Sequence, residues 1–251
     1  EKMTVAGNMK VSLFASEKEF PELINPVQMS FDGKGRLWVA TWPTYPHWKP
    51  KEEMNDRLLI VEDENGDGKA DRVKTFADRL HNPTGFEFWG GGVFVAMAPD
   101  LIFLKDTDGD DKADIRIRVV SGLDSADTHH AANSFTLDPT GALYFQEGTF
   151  HHTQVETPYG PPQRCANAGV FRYTPRTQSF EVYVTHPFAN PHGHVFDAWG
   201  QDFVFDGTGS QPYHGTLFSG RLDFPQKHAT PPQVYQQRTR PCPGVEILSS
   251  R

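Results

Sequence analysis

Long apolar runs, basic side chains and cysteines are all scarce in this sequence. No apolar stretch approaches the roughly 18 residues that a transmembrane helix needs, so we expect no membrane span. The 24 lysines and arginines are outnumbered by 32 aspartates and glutamates, and the formal net charge of −8 argues against a nucleic-acid-binding surface. The two cysteines, Cys165 and Cys242, lie far apart and form no CxxC motif. They are either one disulfide of an exported protein or two unpaired thiols.

Residues that form turns and strands are, by contrast, plentiful. The 251-residue chain holds 22 glycines, 20 prolines and 19 phenylalanines. Glycine and proline favour turns, whereas phenylalanine favours strands. No stretch keeps a helical period of apolar residues over three turns. The composition therefore predicts an all-β protein.

A short motif that precedes an apolar strand recurs along the chain. Its copies start 48 to 60 residues apart, at residues 25–28, 82–85, 130–133, 190–193 and 241–244. After the motif come a strand, a turn and a second strand, and the turn has the pattern Asp-x-x-Gly at 32–35, 138–141 and 197–200. A further hairpin completes each unit, such as 169–173 returning over 180–184. Four short strands in about fifty residues are typical of one blade of a β-propeller.

The number of repeats indicates how much of a propeller the chain contains. Four units are complete, and residues 245–248 open a fifth. A closed ring of six blades at this spacing needs more than roughly 300 residues, and an open ring leaves strand edges unpaired. We therefore expect residues 1–251 to form a single propeller domain that belongs to a longer, six-bladed protein. Residues 10–14 are predicted to be an outer strand that closes the ring.

Two nine-residue loops carry oxygen-bearing side chains at the spacing of a calcium-binding hairpin. The predicted ligands are Asp63, Asn65, Asp67, Lys69 and Asp71 in the first loop and Asp106, Asp108, Asp110, Lys112 and Asp114 in the second, each lysine through its carbonyl. Calcium takes about six to eight oxygen ligands and would relieve the repulsion among these carboxylates. Both loops lie between predicted strands, so the expected role is to stiffen a blade edge. The alternative is a pair of solvated polar turns.

Histidines gather near the predicted blade entries. Six of the eleven lie there, at positions 129, 130, 151, 152, 192 and 194. In a propeller these positions are expected to face the central channel, where ligands bind. His192 and His194 are two apart on one strand, so we expect them to share a face. His130 with a carboxylate such as Glu147 nearby is suited to general-base chemistry near neutral pH.

Two other interpretations of these histidines stay open at this point. Each imidazole could instead hydrogen-bond the blade backbone or another histidine. A metal centre built from His130, His151 and His192 is a further alternative, although no HxxxH-type spacing supports it.

One segment resembles the base-bearing segment of soluble quinoprotein (PQQ) glucose dehydrogenases and related sugar dehydrogenases. Residues 130–139, followed by 141–144 and Gly148, carry the likeness. The match implies that His130 takes the hydroxyl proton of the substrate. The carboxylate that follows the glycine in that family is Thr149 here, with Glu147 adjacent.

A second segment, residues 188–193, resembles the Arg-Asn-Pro-Gln-Gly segment of the same family. There the arginine and asparagine contact quinone and substrate. Asn190 matches the asparagine, but Ala189 stands where the arginine would be. The resemblance therefore implies PQQ as a cofactor while lacking one of its expected contacts.

The chain as a whole is still more similar to the N-terminal propellers of the large exported membrane-bound dehydrogenases of planctomycete-type bacteria. The matching stretches are residues 147–151, 155–161, 190–194, 238–244 and the two Asp-rich loops. In that family the propeller is followed by helical repeats and a c-type cytochrome with a CxxCH motif. The resemblance implies a periplasmic or extracellular location, and a fused or separate cytochrome c that carries haem outside this chain.

These observations favour an exported, calcium-stabilised sugar or alcohol dehydrogenase module that passes electrons to a downstream haem. His130 and Glu147 would be catalytic, and the residues expected to bind cofactor or substrate are Asn190, His192, His194, His151, Arg238 and Arg240. One alternative is a non-catalytic propeller that binds a glycan or protein through its tryptophans, which are Trp38, Trp42, Trp48, Trp89 and Trp199. Another is a calcium-dependent lactonase-type hydrolase with a channel metal that activates water.

Overall fold

The structure is a computed structural model that describes residues 3–5, 7–46, 51–186, 188–209, 211–215, 222–236 and 244–248. These residues form seventeen β-strands and one short 3-10 turn, Pro21–Leu23, and no α-helix occurs among them. None of the described segments is a helix with the length and apolarity needed to cross a bilayer. Predictions that concern Trp48, Arg238, Arg240 and Cys242 lie outside the described residues.

The first sheet belongs to a compact unit formed by residues 1–83 and 106–113. Its four strands are antiparallel and follow chain order: β1 Pro26–Phe31, β2 Leu37–Thr41, β3 Asp56–Glu62 and β4 Arg72–Leu80. Val39, Leu59 and Val61 form its buried core together with Leu23. Phe14 packs on this core, and its carbonyl accepts a hydrogen bond from the Ala70 N–H.

The second compact unit, residues 84–105 and 114–251, contains three further sheets. The second sheet consists of β5 Phe86–Trp89, β6 Gly92–Met97, β7 Asp100–Lys105 and β8 Ile115–Ser121. The third consists of β9 Asn133–Leu137, β10 Leu143–Glu147, β13 Gly169–Thr174 and β14 Ser179–Val184, and the fourth of β15 Pro191–Phe196, β16 Asp202–Asp206 and β17 Gln211–His214. A separate hairpin, β11 His152–Val155 and β12 Gln163–Ala166, is inserted between β10 and β13.

The first strands of successive sheets lie side by side in this second unit. Strand β9 contacts β5 on one side and β15 on the other. Successive antiparallel sheets that meet along their first strands are the arrangement of β-propeller blades. The predicted all-β propeller fold is therefore confirmed.

Aromatic side chains fill the interior between the blades of the second unit. The fully buried rings of Phe94, Phe145 and Phe171 pack with Phe135 and Phe180 in one cluster. Burying one such ring contributes about 1.5–3 kcal/mol, so this cluster is a major source of stability for the blades. The abundance of phenylalanine in the sequence is explained by this cluster.

The Asp-x-x-Gly repeats form the predicted turns between the first two strands of a blade. In each turn the glycine N–H donates to the aspartate carbonyl, and the glycine φ is 80–85°. That left-handed conformation favours glycine. The carboxylates of Asp32, Asp138 and Asp197 accept further backbone N–H groups of their own turns. The repeat is therefore a local folding signal.

Two strand predictions are wrong, and the fourth sheet has fewer strands than a complete blade. Residues 10–14 and the described residues 244–248 contain no strand. Val245 instead packs against the backbone at Gly193. Among the described residues the fourth sheet has three strands, with an isolated bridge from Tyr213 to Gln233 beyond them.

Candidate functional site

The first Asp-rich loop folds as a tight turn that is held by its own side chains. Asp63 accepts the N–H groups of Gly66 and Gly68 at 2.7 and 2.8 Å, and Asp71 accepts that of Glu64 at 2.7 Å. The N–H groups of Gly68 and Gly66 lower the pKa of Asp63. The carboxylates predicted as ligands therefore order the loop backbone, and calcium binding here stays a prediction.

The second loop brings three predicted ligands together. Asp106, Asp108 and Asp114 each place one carboxylate oxygen within 4.8 Å of the others. At position 6 of the loop Asp111 has φ +64°, which matches the +84° of Gly68 at position 6 of the first loop. Aspartate tolerates this left-handed conformation better than most residues, so the fold of the loop survives the loss of glycine.

The Asp111 side chain pairs with basic residues of the first sheet. Its carboxylate accepts from Arg36 at 2.7 Å and forms a short ion pair with Lys74. Burial opposes ionisation, but Arg36 and Lys74 outweigh it and lower the pKa of Asp111 to about 2. Glu62 shares both cations. The tip of the second loop is thereby tied to the first compact unit, to which it belongs.

The predicted base, His130, forms an Asp–His pair. Its Nδ1 donates to the Asp127 carboxylate at 3.1 Å, and 19% of its side chain is exposed. The Asp127 carboxylate also accepts the His129 N–H at 2.7 Å. These bonds outweigh partial burial and lower the pKa of Asp127. A carboxylate that accepts from Nδ1 fixes the tautomer whose Nε2 carries the lone pair, as a general base requires.

Glu147 and His151 lie directly beneath this pair and are only 1% exposed. His151 Nε2 donates to the Asp127 carbonyl at 2.9 Å, and its Nδ1 lies 3.7 Å from Glu147 Oε1. The other Glu147 oxygen accepts a short hydrogen bond from Thr153 Oγ1. At this burial neither side chain can touch a substrate directly, although His151 bonds the Asp127 residue that pairs with the candidate base.

His192 and Asn190 approach the same region from the start of β15. Burial and the nearby His130 lower the pKa of His192, against the opposite effect of Asp206. The Asn190 side-chain oxygen is buried without a hydrogen-bond partner among the described residues. Asp206 accepts the N–H groups of Ala189 and Asn190 at 2.9 and 3.1 Å, which fixes this loop. The structure therefore brings His130, His151 and His192 into one neighbourhood.

His194 is not part of that neighbourhood. A β-bulge between Pro191 and His194, with Gly193 at φ +122°, breaks the alternation along β15. His194 Nε2 instead pairs with Asp202 at 3.0 Å, and both side chains are fully buried. The expectation that His192 and His194 share a face is wrong because the bulge adds a residue between them.

The histidines do not form the three-histidine metal centre considered as an alternative. Within the described ranges, the only group of three potential ligand side chains that meet closely is the one in the second Asp-rich loop. His130 and His151 are held by Asp127 instead.

Several residues of this site escaped the sequence analysis. Asp127 and Asp124 stand in a loop with no motif, and Asp124 accepts the backbone N–H groups of residues 126 and 152.

Phe150 is 60% exposed, and its ring packs edge-on against the His130 ring, with centroids 5.7 Å apart. Its φ of +72° is unusual for a bulky residue. A Cβ at Gly148 would lie 2.8 Å from the His130 ring, so only glycine fits there.

Other predicted features have structural roles or remain exposed. Cys165 is a buried free thiol, and burial raises its pKa to about 12. Trp38 and Trp42 are buried, and Trp89 packs on the aromatic cluster. Trp199, by contrast, is 90% exposed.

Comparison with known families places the chain in one of them. The family described as a domain of unknown function, DUF7133, matches residues 1–241. This chain belongs to the DUF7133 family. No curated protein matches it. The predicted relationship to exported membrane-bound dehydrogenases stays a prediction.

Solved structures similar to this DUF7133 chain include sugar-directed enzymes. The PQQ domain of pyranose dehydrogenase from Coprinopsis cinerea aligns with TM-score 0.53 and 13% identity, over 74% of this chain and 44% of that one. A Trichoderma reesei carbohydrate-active enzyme of family AA12 aligns with TM-score 0.54 and 14% identity, over 81% and 56%. A nidogen/laminin complex aligns with TM-score 0.50 and 13% identity, over 75% and 59%. The chain spans about half the length of these structures, and identities this low show the fold alone.

Proposed function

We propose that this chain is the propeller of an exported, quinoprotein-like enzyme that oxidises a sugar or alcohol, with His130 as the general base. The observation that carries the proposal is the Asp127–His130 pair with His192 nearby. The similarity of the fold to the PQQ domain of pyranose dehydrogenase supports the reaction class. A calcium-stabilised blade edge and transfer of electrons to a separate or fused haem domain belong to the same proposal.

The proton half of the reaction follows from the described side chains. His130 Nε2 accepts the hydroxyl proton of the substrate. The Asp127 carboxylate stabilises the imidazolium that forms, because it already accepts from Nδ1. A positioned base of this kind contributes about 10²–10⁴-fold to a rate.

The described residues do not by themselves fit PQQ. The cofactor carries several carboxylates, and no described lysine or arginine forms a hydrogen bond or ion pair with His130, Asn190 or Asp206. Ala189 stands where the resembling family has its arginine. The cations would have to come from Arg238 and Arg240, which lie outside the described residues. We therefore derive no step through the quinone.

Dye reduction with a panel of aldoses and alcohols tests the proposal. We expect the PQQ-supplemented protein to reduce the dye, and His130→Gln to lose at least about 100-fold in rate. His152→Gln is the matched control, because His152 is an exposed neighbour of His151. An active His130→Gln variant would refute the assignment of the base.

Calorimetry tests the quinone separately. We expect PQQ to bind the wild-type protein and to bind the double variant Arg238→Ala/Arg240→Ala at least about tenfold more weakly. Absence of binding to the wild-type protein would refute the quinone part.

A glycan-binding propeller without catalysis is the second candidate function. Trp199, which is 90% exposed, favours it, since an exposed tryptophan ring can stack on a sugar. Glycan-array binding that persists in His130→Gln and disappears in Trp199→Ala would support this candidate over the enzyme. The lactonase alternative instead requires a tightly held metal beyond the two loops, which elemental analysis would detect.

A further inference from the structure

Glu147 and His151 form a buried pair in the third blade. Both are 1% exposed, and Glu147 Oε1 faces His151 Nδ1 at 3.7 Å. The second Glu147 oxygen is occupied by the Thr153 hydroxyl, whose oxygen in turn accepts the Asp124 N–H at 2.9 Å. The pair is therefore enclosed by the β11–β12 hairpin and the loop that carries Asp127.

The contacts of the two side chains determine their protonation. His151 Nε2 lies 2.9 Å from the Asp127 carbonyl, which can only accept, so Nε2 carries a hydrogen. In a neutral imidazole the lone pair of Nδ1 would then point at a carboxylate oxygen, which is repulsive. Both of these facing atoms, His151 Nδ1 and Glu147 Oε1, are buried and lack another partner among the described residues. A proton on Nδ1 turns this contact into an ion pair across 3.7 Å instead of a repulsion.

We infer that His151 carries this proton and forms with Glu147 an ion pair that positions Asp127 and, through it, fixes the tautomer of His130. The inference rests on the proposed function for its catalytic meaning, but its geometry is independent of substrate. Neither residue is catalytic in this arrangement, since both are enclosed. This proposal gives Glu147 and His151 positioning roles in place of the catalytic and ligand-binding roles that the sequence predicts for them.

Asp127 needs such an anchor because no strand holds it. It lies in the loop between β8 and β9. Its carboxylate is held by the His129 N–H and by His130 Nδ1, and its carbonyl by His151. The His151 contact is the one that comes from the rigid interior, so its loss should release the loop and the Asp127–His130 bond with it.

The charge environment agrees with a protonated His151. Burial lowers the pKa of His151, but Glu147, the Asp127 carbonyl and Asp124 together outweigh it, and the net pKa is raised. Charged or titratable groups around the site are Glu147, Asp124, Asp127, Cys165, His129, His130 and His192.

Long-range ¹H–¹⁵N spectra of the histidine rings test the inference without substrate or cofactor. In the wild-type protein at pH 6 we expect His151 to be protonated on both nitrogens, and we expect the neutral form of His130 to carry its hydrogen on Nδ1. In Glu147→Gln the amide can donate to His151 Nδ1, so His151 should become the neutral Nε2–H form while His130 keeps its tautomer. In His151→Leu, His130 should shift towards the Nε2–H tautomer. His152→Gln should change neither ring.

An internal reference and two refuting outcomes keep the test decisive. The signal of the buried His194, paired with Asp202, reports whether the third and fourth blades are folded in each variant. A wild-type His151 with an unprotonated Nδ1 at pH 6 would overturn the ion pair even if His151→Leu fails to fold. A folded His151→Leu that keeps the His130 tautomer would overturn the positioning role. Loss of dye-reducing activity is measured separately, so failure of the proposed enzyme leaves these results interpretable.

Discussion

Replacing His194 with leucine tests whether this histidine stabilises the fold or serves the candidate site. His194 Nε2 lies 3.0 Å from Asp202, both side chains are fully buried, and the Tyr144 and Phe196 rings pack on the imidazole at 5.1 and 4.9 Å. His194→Leu leaves the Asp202 carboxylate in the interior without its partner. Breaking one side of a buried pair costs about 3–5 kcal/mol.

The matched comparison is His192→Leu, two residues away on the same strand. His192 is only partly buried and has no hydrogen-bond partner among the described residues, so its replacement should cost about 1 kcal/mol or less. For a chain of this size 1 kcal/mol changes the Tm by about 2–4 °C. We therefore expect His194→Leu to lower the Tm by roughly 6–20 °C and His192→Leu by at most about 4 °C.

Thermal unfolding followed by circular dichroism measures both variants. The double variant His194→Leu/Asp202→Leu gives a further check, because two apolar side chains remove the orphaned charge. Its cost should be smaller than the sum of the single costs. If His194→Leu were no less stable than His192→Leu, the structural role of the His194–Asp202 pair would be refuted.

Three further predictions concern ligand contact, pH and calcium. Phe150→Ala should raise the KM for a sugar several-fold and leave kcat and the Tm nearly unchanged, because the exposed ring packs on His130 but contributes little to the core; a drop in Tm above about 4 °C would contradict this. Burial raises the pKa of Glu87 to about 7, so its stabilising contribution is complete below pH 4.5 and is lost as the pH rises through 7. Glu87→Gln should therefore match the wild type near pH 4 and exceed its free energy of unfolding by about 3 kcal/mol above pH 7, as urea titrations at the two pH values would show. Calcium at a hundred times its dissociation constant should add about 2.7 kcal/mol to the free energy of unfolding, and Asp63→Ala/Asp106→Ala should abolish the increase; an equal increase in this variant would exclude the loops as the site.

The blades could be predicted because their signals are local. The Asp32, Asp138 and Asp197 turns are held by hydrogen bonds within five residues, and each glycine takes the left-handed conformation that the motif requires. A repeat of such turns and apolar strands specifies antiparallel sheets before any long-range contact is known. The two Asp-rich loops were recognisable for the same reason.

The candidate site could be predicted only in part, because its contacts are long-range. His130 was accessible through a resemblance, but its partner Asp127 follows no motif. The anchor of Asp127 comes from His151, 24 residues later, through a backbone carbonyl that a sequence pattern does not reveal. The β-bulge at Gly193 likewise reverses the expected relation of His192 and His194, since one extra residue turns a side chain to the other face.

The resulting site separates into an enclosed part and an exposed part. This division determines which side chains can contact a ligand and which can only position others. Glu147 and His151 are sealed from solvent and can only hold a proton and orient Asp127. His130 is partly open and Phe150 largely open, so these two side chains are available to a ligand. The glycine at 148 joins the two parts, because any side chain there would displace the His130 ring. A base oriented from a rigid interior, with an aromatic wall beside it, is an arrangement suited to a sugar ring whose hydroxyl loses a proton.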